Sequence, residues 1–392
     1  MIIKECVVSA NYRKLGDIVE LIDERNKSLE SSEVLGISID KEFMPSVANT
    51  IGTDLSNYKL LRMNTFACNP MHVGRDERLP VSLYKKDIPA IVSPAYFMFR
   101  VKDENKVLPD FLMLIFKRDD FDRNCWFRTD GSVRGGITWN DICEIELPVP
   151  DLKEQEKIVN TYSCLTKRIQ LKQKINENLE KTAQTIFKKT FEEKLVSNQK
   201  KVPLSELCLS VTKGTTPTTL GYDFTKEGIN FLKGESITDT HFFDNTKFDH
   251  INDEANQALK RSIILEDDIL FSMAGTIGKF AIADKSILPA NTNQAVCIIR
   301  CNKKIINPLY VYSFLIGNWH IEYYTRRIQE AVQANLSLEN IKSLPIVMLE
   351  DSERTQYESK IFPLFIKILN NHKEIAKLQE LKQLVISRIS GM

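Results

Sequence analysis

The chain lacks the marks of a membrane protein, a secreted protein or a free-standing enzyme. No run of about 18 apolar residues occurs, so no membrane-spanning helix is read from the sequence. Met1-Ile2-Ile3-Lys4-Glu5 carries an acid and opens no long apolar stretch. No secretory leader is read there, and the cytoplasm is the expected compartment. The eight cysteines are scattered, without the paired spacings such as C-x2-C that zinc usually needs. Cys297 and Cys301 lie on a strand-like apolar run with no second ligand pair nearby. No metal site is expected, and the cysteines are read as reduced, small apolar residues. An excess of one charge sign is also missing, since 53 basic residues face 52 acidic ones. That excludes sequence-blind coating of a polyanion, but not a basic face balanced by acids elsewhere.

Catalytic motifs are absent or incomplete. Met273-Ala274-Gly275-Thr276-Ile277-Gly278-Lys279-Phe280 contains Gly-Lys. A phosphate-binding loop would need glycine at Met273 and a hydroxyl residue at Phe280. Asn307-Pro308-Leu309-Tyr310 resembles the Asn-Pro-Pro-Tyr motif of amino-methyltransferases without its second proline. A very similar stretch, Leu108-Pro109-Asp110-Phe111, stands at the matching place earlier in the chain, so a helix start explains both. No H-E-x-x-H, no G-x-S-x-G and no glycine-rich nucleotide turn is present. Asp151, Glu154 and Lys157 loosely resemble a nuclease cluster but read better as a helix N-terminus.

What the chain does have is an internal repeat of about half its length. Val107-Leu108-Pro109-Asp110-Phe111-Leu112 is echoed by Ile306-Asn307-Pro308-Leu309-Tyr310-Val311. Ile137-Thr138-Trp139-Asn140-Asp141-Ile142 is echoed by Asn335-Leu336-Ser337-Leu338-Glu339-Asn340-Ile341, and Leu15-Gly16-Asp17-Ile18 by Leu204-Ser205-Glu206-Leu207. The period is far longer than that of a solenoid. Two similar halves suit a partner that itself has two related halves, such as duplex DNA.

Four segments follow. Residues 1–150 and 201–350 read as irregular, β-rich α+β units. Strands are expected at Ile88–Val92, Tyr96–Phe99, Ile263–Leu265, Ile269–Phe271 and Ala295–Ile299. Residues 151–200 form a helix without Pro or Gly until its end. Its apolar residues Ile158, Tyr162, Leu165, Ile169, Ile175, Leu179, Ala183 and Ile186 recur at helical spacing, with a gap at Lys172. Residues 351–392 repeat the pattern with Ile361, Phe365, Ile368, His372, Ile375, Leu378, Leu381, Val385 and Ile389. Pro363 is expected at the first turn or at a kink, and His372 is read as a seam residue. Two such helices should pair antiparallel as a coiled coil about 60 Å long. The expected fold class is α+β: two pseudo-symmetric globular units separated by two long antiparallel coiled-coil helices.

Polar loops recur in both halves. The first offers His72–Arg78 with Arg75 and Arg78, then Lys85, and Phe127–Gly136 with Arg128 and Arg134. The second offers Lys213–Pro217 with Lys213 and Thr215, Lys233 in Lys233–Ser236, and Lys279 after Gly275–Gly278. It also offers Asn293 in Asn291–Gln294, and Arg326 with Arg327. Arginine pairs with guanine acceptors, Asn and Gln with adenine, and hydroxyls with phosphate. These twelve residues are the candidate DNA contacts. Ile158, Leu165, Ile169, Leu179, Ile368, Ile375, Leu381 and Val385 are the candidates for helix and partner contacts.

These pieces resemble the specificity subunit of Type I restriction–modification enzymes. The resemblance rests on Lys213–Pro217, Phe231–Ile237, Asp268–Ser272 with Gly275–Gly278, Asn293–Ala295 and Leu344–Val347. In the first half it rests on Ser93–Phe99, Leu147–Pro150 and Glu154–Ile158. The first half lacks Gly-Thr-Ile-Gly and carries Ser93-Pro94-Ala95-Tyr96 instead. The resemblance implies two target-recognition domains, each reading half of a split double-stranded DNA site. It further implies a helical ruler that docks two methyltransferase subunits, and optional restriction subunits. S-adenosylmethionine, magnesium and ATP would then belong to those partners, with no cofactor and no catalytic residue in this chain. Two other readings remain: a stand-alone methyltransferase or nuclease, and a coiled-coil protein scaffold without specific DNA binding.

Overall fold

The computed structural model describes residues 11–47, 52–71, 73–129, 135–197, 200–275, 277–328 and 336–390. The chain divides into two compact units. One is Met1–Gln170 with Ala376–Met392, and the other is Leu171–Ile375.

In the first unit, alternating apolar residues build an antiparallel sheet in the order Val19–Ile22, Phe97–Val101, Phe66–Cys68, Val81–Leu83. A second sheet runs Phe43–Pro45, Val34–Ile37, Ala90–Val92, Lys59–Leu61, with its middle pair parallel. Asn11–Lys14 pairs with Glu146–Val149 as a separate ribbon. The helix Pro109–Phe116 starts on its proline and is buried at seven positions. Phe66 and Phe99 stack at 5.0 Å, and Phe116 meets Phe66 edge-on at 5.5 Å. Ile158 and Ile389 enter the same core.

The second unit repeats this topology. Its antiparallel sheet runs Cys208–Lys213, Val296–Cys301, Ile269–Ser272, Phe280–Ile282. Its other sheet runs Asp249–Ile251, Ile229–Leu232, Ala290–Thr292, again with one parallel pair. Lys201–Pro203 and Pro345–Val347 form the ribbon. The helix Pro308–Ile316 matches Pro109–Phe116, and Leu338–Lys342 matches Trp139–Cys143. Asn307 Oδ1 accepts from the Leu309 N–H at 2.9 Å, so the Asn-Pro pair is a helix cap, as its repeat counterpart implied.

Two long helices complete the chain, Leu152–Val196 and Asp351–Ser390. Asp151 Oδ1 accepts from the Glu154 N–H at 2.9 Å and caps the first. Within the second unit the helices run antiparallel. Lys172 bonds Asn371 at 3.1 Å and Glu374 at 2.6 Å, while Lys194 bonds Glu353 at 2.9 Å. Within the first unit Lys382 Nζ lies 4.8 Å above the Tyr162 ring.

Several expectations need correction. Pro363 sits well inside its helix, which excludes the first turn and leaves the kink alternative; a proline there removes the N–H that would bond the Ser359 carbonyl. Ile175 and Leu381 lie on the apolar stripe yet are exposed; the seam position beside Ile175 is held by buried Asn176. Ile263–Leu265 is not a strand but a single bridge, Ile264 to Ala290. Ser93–Tyr96 follows Ala90–Val92 and is the counterpart of Asn293–Ala295, not of the Gly275–Gly278 turn. The counterpart of that turn is the connection from Phe66–Cys68 to Val81–Leu83, which carries Arg75 and Arg78.

Candidate nucleic-acid interface

In the second unit the sheet topology gathers the candidates at one rim. The strand Cys208–Lys213 ends at exposed Lys213, and the next residue, Gly214, donates its N–H to the Asn293 carbonyl at 3.1 Å. A Cβ on Gly214 would lie 1.8 Å from the Thr292 carbonyl oxygen, so only glycine lets the two loops meet. Leu232 pairs with Thr292, which puts Lys233 at the same rim. The Met273 N–H donates to the Ala295 carbonyl at 2.8 Å, bringing in the turn that ends at Lys279. Thr216 Oγ1 donates to Gln294 Oε1 at 2.6 Å. Lys213, Thr215, Lys233, Lys279 and Asn293 thus converge, although 80 residues separate the first from the last.

Buried polar groups fix that rim. Asn291 is fully buried and donates to Asn256 Oδ1 at 2.8 Å and to the Leu259 carbonyl at 3.3 Å. Thr292 Oγ1 donates to the Leu232 carbonyl at 2.8 Å. A buried polar side chain left without a partner would cost about 1–3 kcal/mol, so these bonds hold the loop ends in one arrangement. Arg261 stands at the same rim and reaches Thr215 Oγ1 at 3.5 Å. Sequence reading missed it; the only signal was the exposed Lys260-Arg261 pair.

The cations differ in how far their charge is spent. Lys233 pairs with Asp249 and lies 5.2 Å from the Phe224 ring centroid. Lys279 pairs with Asp239 at 2.9 Å. Lys213 makes no ion pair among the described residues. A phosphate reaching this rim would meet Lys213 and Arg261 directly, but would have to displace carboxylates from Lys233 and Lys279.

Beside the rim, the turn Thr238–Phe243 carries His241, whose ring stacks on Phe280 at 4.0 Å. His372 of the C-terminal helix stacks on Phe242 at 4.7 Å, and Lys373 bonds Asp284 at 3.2 Å. The seam histidine therefore joins helix to globe. Burial pushes His241, His320 and His372 each down to about 4.

In the first unit the candidates are more dispersed. Arg75 lies in the short helix Val73–Asp76, not a loop, and bonds Asp76 at 2.6 Å. Arg78 reaches Asp40 at 3.9 Å. The Gly74 N–H donates to the Gly135 carbonyl at 2.9 Å, so the segment with Arg75 borders the one that follows Arg134. Arg134 itself lies outside the described residues, as does His72. Arg128 ends the helix Asp119–Phe127, and among the described residues its side chain bonds Asn124. Lys85, beyond the other end of Val81–Leu83, bonds Asp110 at 2.8 Å and Asn64 at 3.1 Å, apart from the arginines. Arg326 and Arg327 fall in the helix Trp319–Ile328 and not in a loop; their side chains lie outside the described residues.

On the long helices, Ile158, Ile169, Ile368 and Ile375 are buried, Leu165, Leu179 and Val385 are half-buried, and Leu381 is 49% exposed. Among the described residues no three His, Cys, Asp or Glu side chains are grouped to hold a metal. No helix among them is long and apolar enough to cross a membrane.

Comparison with known proteins agrees with the repeat. Residues 9–181 and 197–383 each match the family described as the Type I restriction modification DNA specificity domain. The chain is 23% identical over 305 residues to the Type I restriction enzyme MjaIX specificity subunit of Methanocaldococcus jannaschii, covering 72% of this chain and 68% of that one. It is 21% identical over 393 residues to the putative MjaX specificity subunit of the same organism, covering 92% and 88%. Its fold matches the S subunit of the Type I restriction–modification system from M. genitalium with a TM-score of 0.59, at 15% identity, over 99% of this chain and 98% of that one.

Proposed function

The chain belongs to the Type I restriction–modification specificity family, with two DNA-specificity domains, and from that premise we propose how this particular chain reads DNA. Each unit's rim of loops takes one half of a split duplex site, and the long helices set the gap between the halves. The observation that carries this reading is the twofold occurrence of one topology, with loops of matching position but different chemistry. The first unit offers Arg75 and Arg78 where the second offers Lys279, and Ser93–Tyr96 where the second offers Asn293–Ala295. Two rims of unlike chemistry fit two unlike half-sites.

In the second unit, Lys213 and Arg261 hold phosphate. Asn293, Gln294 and Thr215 face base edges, where an amide matches adenine. Two methyltransferase subunits dock along the helices. The buried seam residues are spent on packing, so docking falls to exposed apolar residues: Leu381 and Leu384 in the first unit, and Leu171, Ile175 and Ile366 in the second. Those partners methylate adenine and carry S-adenosylmethionine; restriction subunits carry ATP and magnesium. This chain contributes recognition and no bond-making group.

The test is DNA retention by the chain copurified with its methyltransferase subunits, measured across salt. Lys213→Ala and Arg261→Ala should each lower the salt slope by about one and weaken binding to all sequences. Asn293→Ala should relax one half-site by about 1–3 kcal/mol and leave the other intact. Unchanged affinity and unchanged selectivity in all three would remove this rim as the interface.

A further inference from the structure

Cys208 and Cys301 lie far apart in sequence and face each other across the strands Cys208–Lys213 and Val296–Cys301. The Asn302 N–H donates to the Leu207 carbonyl at 2.9 Å. The hydrogen bond therefore falls on the flanking residues, and the cysteines occupy a non-hydrogen-bonded site. Opposed residues there approach most closely, with Cα atoms about 4.5 Å apart. A disulfide spans Cα separations of about 4.4–6.8 Å, so the backbone already holds the two in bridging range.

The two cysteines differ in exposure. Cys208 is half-exposed, while Cys301 is buried. The register shifts between Cys208 and Ser210, which pushes Leu209 outward to 67% exposure and opens the strand beside Cys208. Leu209, Arg300, Cys301 and Lys303 line a groove of about 420 Å³ that reaches the pair from the Cys301 side. Cys68, Cys125 and Cys297 are wholly buried, and Cys164 is exposed on the central helix.

We propose that Cys208 and Cys301 form a redox-modifiable dithiol, which a small-molecule disulfide such as oxidised glutathione converts to a cross-strand disulfide. The Cys208 thiolate attacks one sulfur of the small disulfide, forming a mixed disulfide and releasing one small thiolate. Cys301 then loses its proton and attacks the Cys208 sulfur, forming the protein disulfide and releasing the second thiolate. The protein gives up two electrons and two protons, and the small disulfide becomes two thiols. The adjoining Cys208 side chain, then burial, push the Cys301 thiol above its usual range. Cys208 is thus the entry point and Cys301 the resolving group.

The experiment treats the full chain with oxidised glutathione, blocks remaining thiols, and maps cysteine peptides by mass spectrometry without reduction. The expected result is a Cys208–Cys301 linked peptide, a loss of two free thiols at that pair, and reversal by dithiothreitol. Cys164 should carry only a glutathione adduct. Cys301→Ser should trap glutathione on Cys208, which the parent chain resolves. Stable glutathione on Cys208 of the parent, with Cys301 still free, would overturn the proposal. So would no reaction at either residue while Cys164 is modified. The parent map needs no variant, so a misfolded Cys301→Ser chain leaves the decision intact.

Discussion

Asn371 Nδ2 donates to Asn176 Oδ1 at 2.7 Å, between two buried side chains on antiparallel helices of the second unit. Asn176 in turn reaches the Ile368 carbonyl at 3.5 Å, and Lys172 donates to Asn371 Oδ1 at 3.1 Å. A polar pair in an apolar seam is satisfied in one register and orphaned in its neighbours. Asn176→Leu alone should cost about 1–3 kcal/mol, because it strands the Asn371 amide. Asn176→Leu with Asn371→Leu should recover most of that loss in urea unfolding. If the register fixes the gap between half-sites, the double variant should also accept more than one spacer length, as sequencing of methylated sites would show.

The three buried histidines make the second unit acid-sensitive. Each stays neutral when folded, with its titration pushed down to about 4, whereas an unfolded histidine protonates near 6.5. Their contribution is whole above 6.5 and is lost as pH falls towards 4, by up to about 3 kcal/mol each. Asp239, itself bonded to Lys279, faces His241 and moderates this effect. Glu180 runs the other way: burial, then Glu177, push it up to about 7, so it destabilises as pH rises from 4.5 to 7. Melting temperature should fall between pH 7 and pH 5 in the parent. It should fall less in His320→Phe and more steeply in Glu180→Gln. The same slope in all three would contradict this assignment.

In the first unit, Lys41 and Asp122 form a buried ion pair at 2.7 Å; Asp122 also accepts from the Leu79 N–H at 3.0 Å, and Lys41 donates to the Phe116 carbonyl. Lys41→Met leaves the carboxylate buried and unpaired, at a cost of about 3–5 kcal/mol. Adding Asp122→Asn removes the charge but keeps the acceptor for Leu79, and should restore more than half of the loss in urea unfolding. No recovery would mean that the lysine acts through packing alone.

Gly214 should be the least replaceable residue at the second rim. Gly214→Ala must move either the loop or the Thr292 carbonyl, because the added carbon would sit 1.8 Å from that oxygen. Its effect on DNA retention should equal or exceed that of Lys213→Ala, although it removes no charge. Parent-like retention would show that the meeting of these loops is dispensable.

The repeat was the most legible part of the sequence. Leu-Pro-Asp-Phe and Asn-Pro-Leu-Tyr open equivalent helices, because proline at a first turn and apolar spacing are local signals. The central helix, from its Asp151 cap to Val196, was readable for the same reason. The convergence of Lys213, Lys233 and Asn293 was not, since the register of Leu232 with Thr292 is set by long-range pairing. Arg261 escaped because its role comes from a turn packed beside a distant strand. The seam was misread at Ile175, where hydrophobicity alone could not reveal that Asn176 and Asn371 satisfy each other. Cys208 and Cys301 were read only as scattered small apolar residues, because their pairing is set by the register of distant strands.

The most direct test is to co-express the chain with the methyltransferase subunit encoded beside it and map adenine methylation across the host genome. The account predicts one split motif with two different short halves and a fixed gap, and Asn293→Ala should broaden one half only. A stable complex with an active methyltransferase that marks a single unsplit motif, or none, would contradict it.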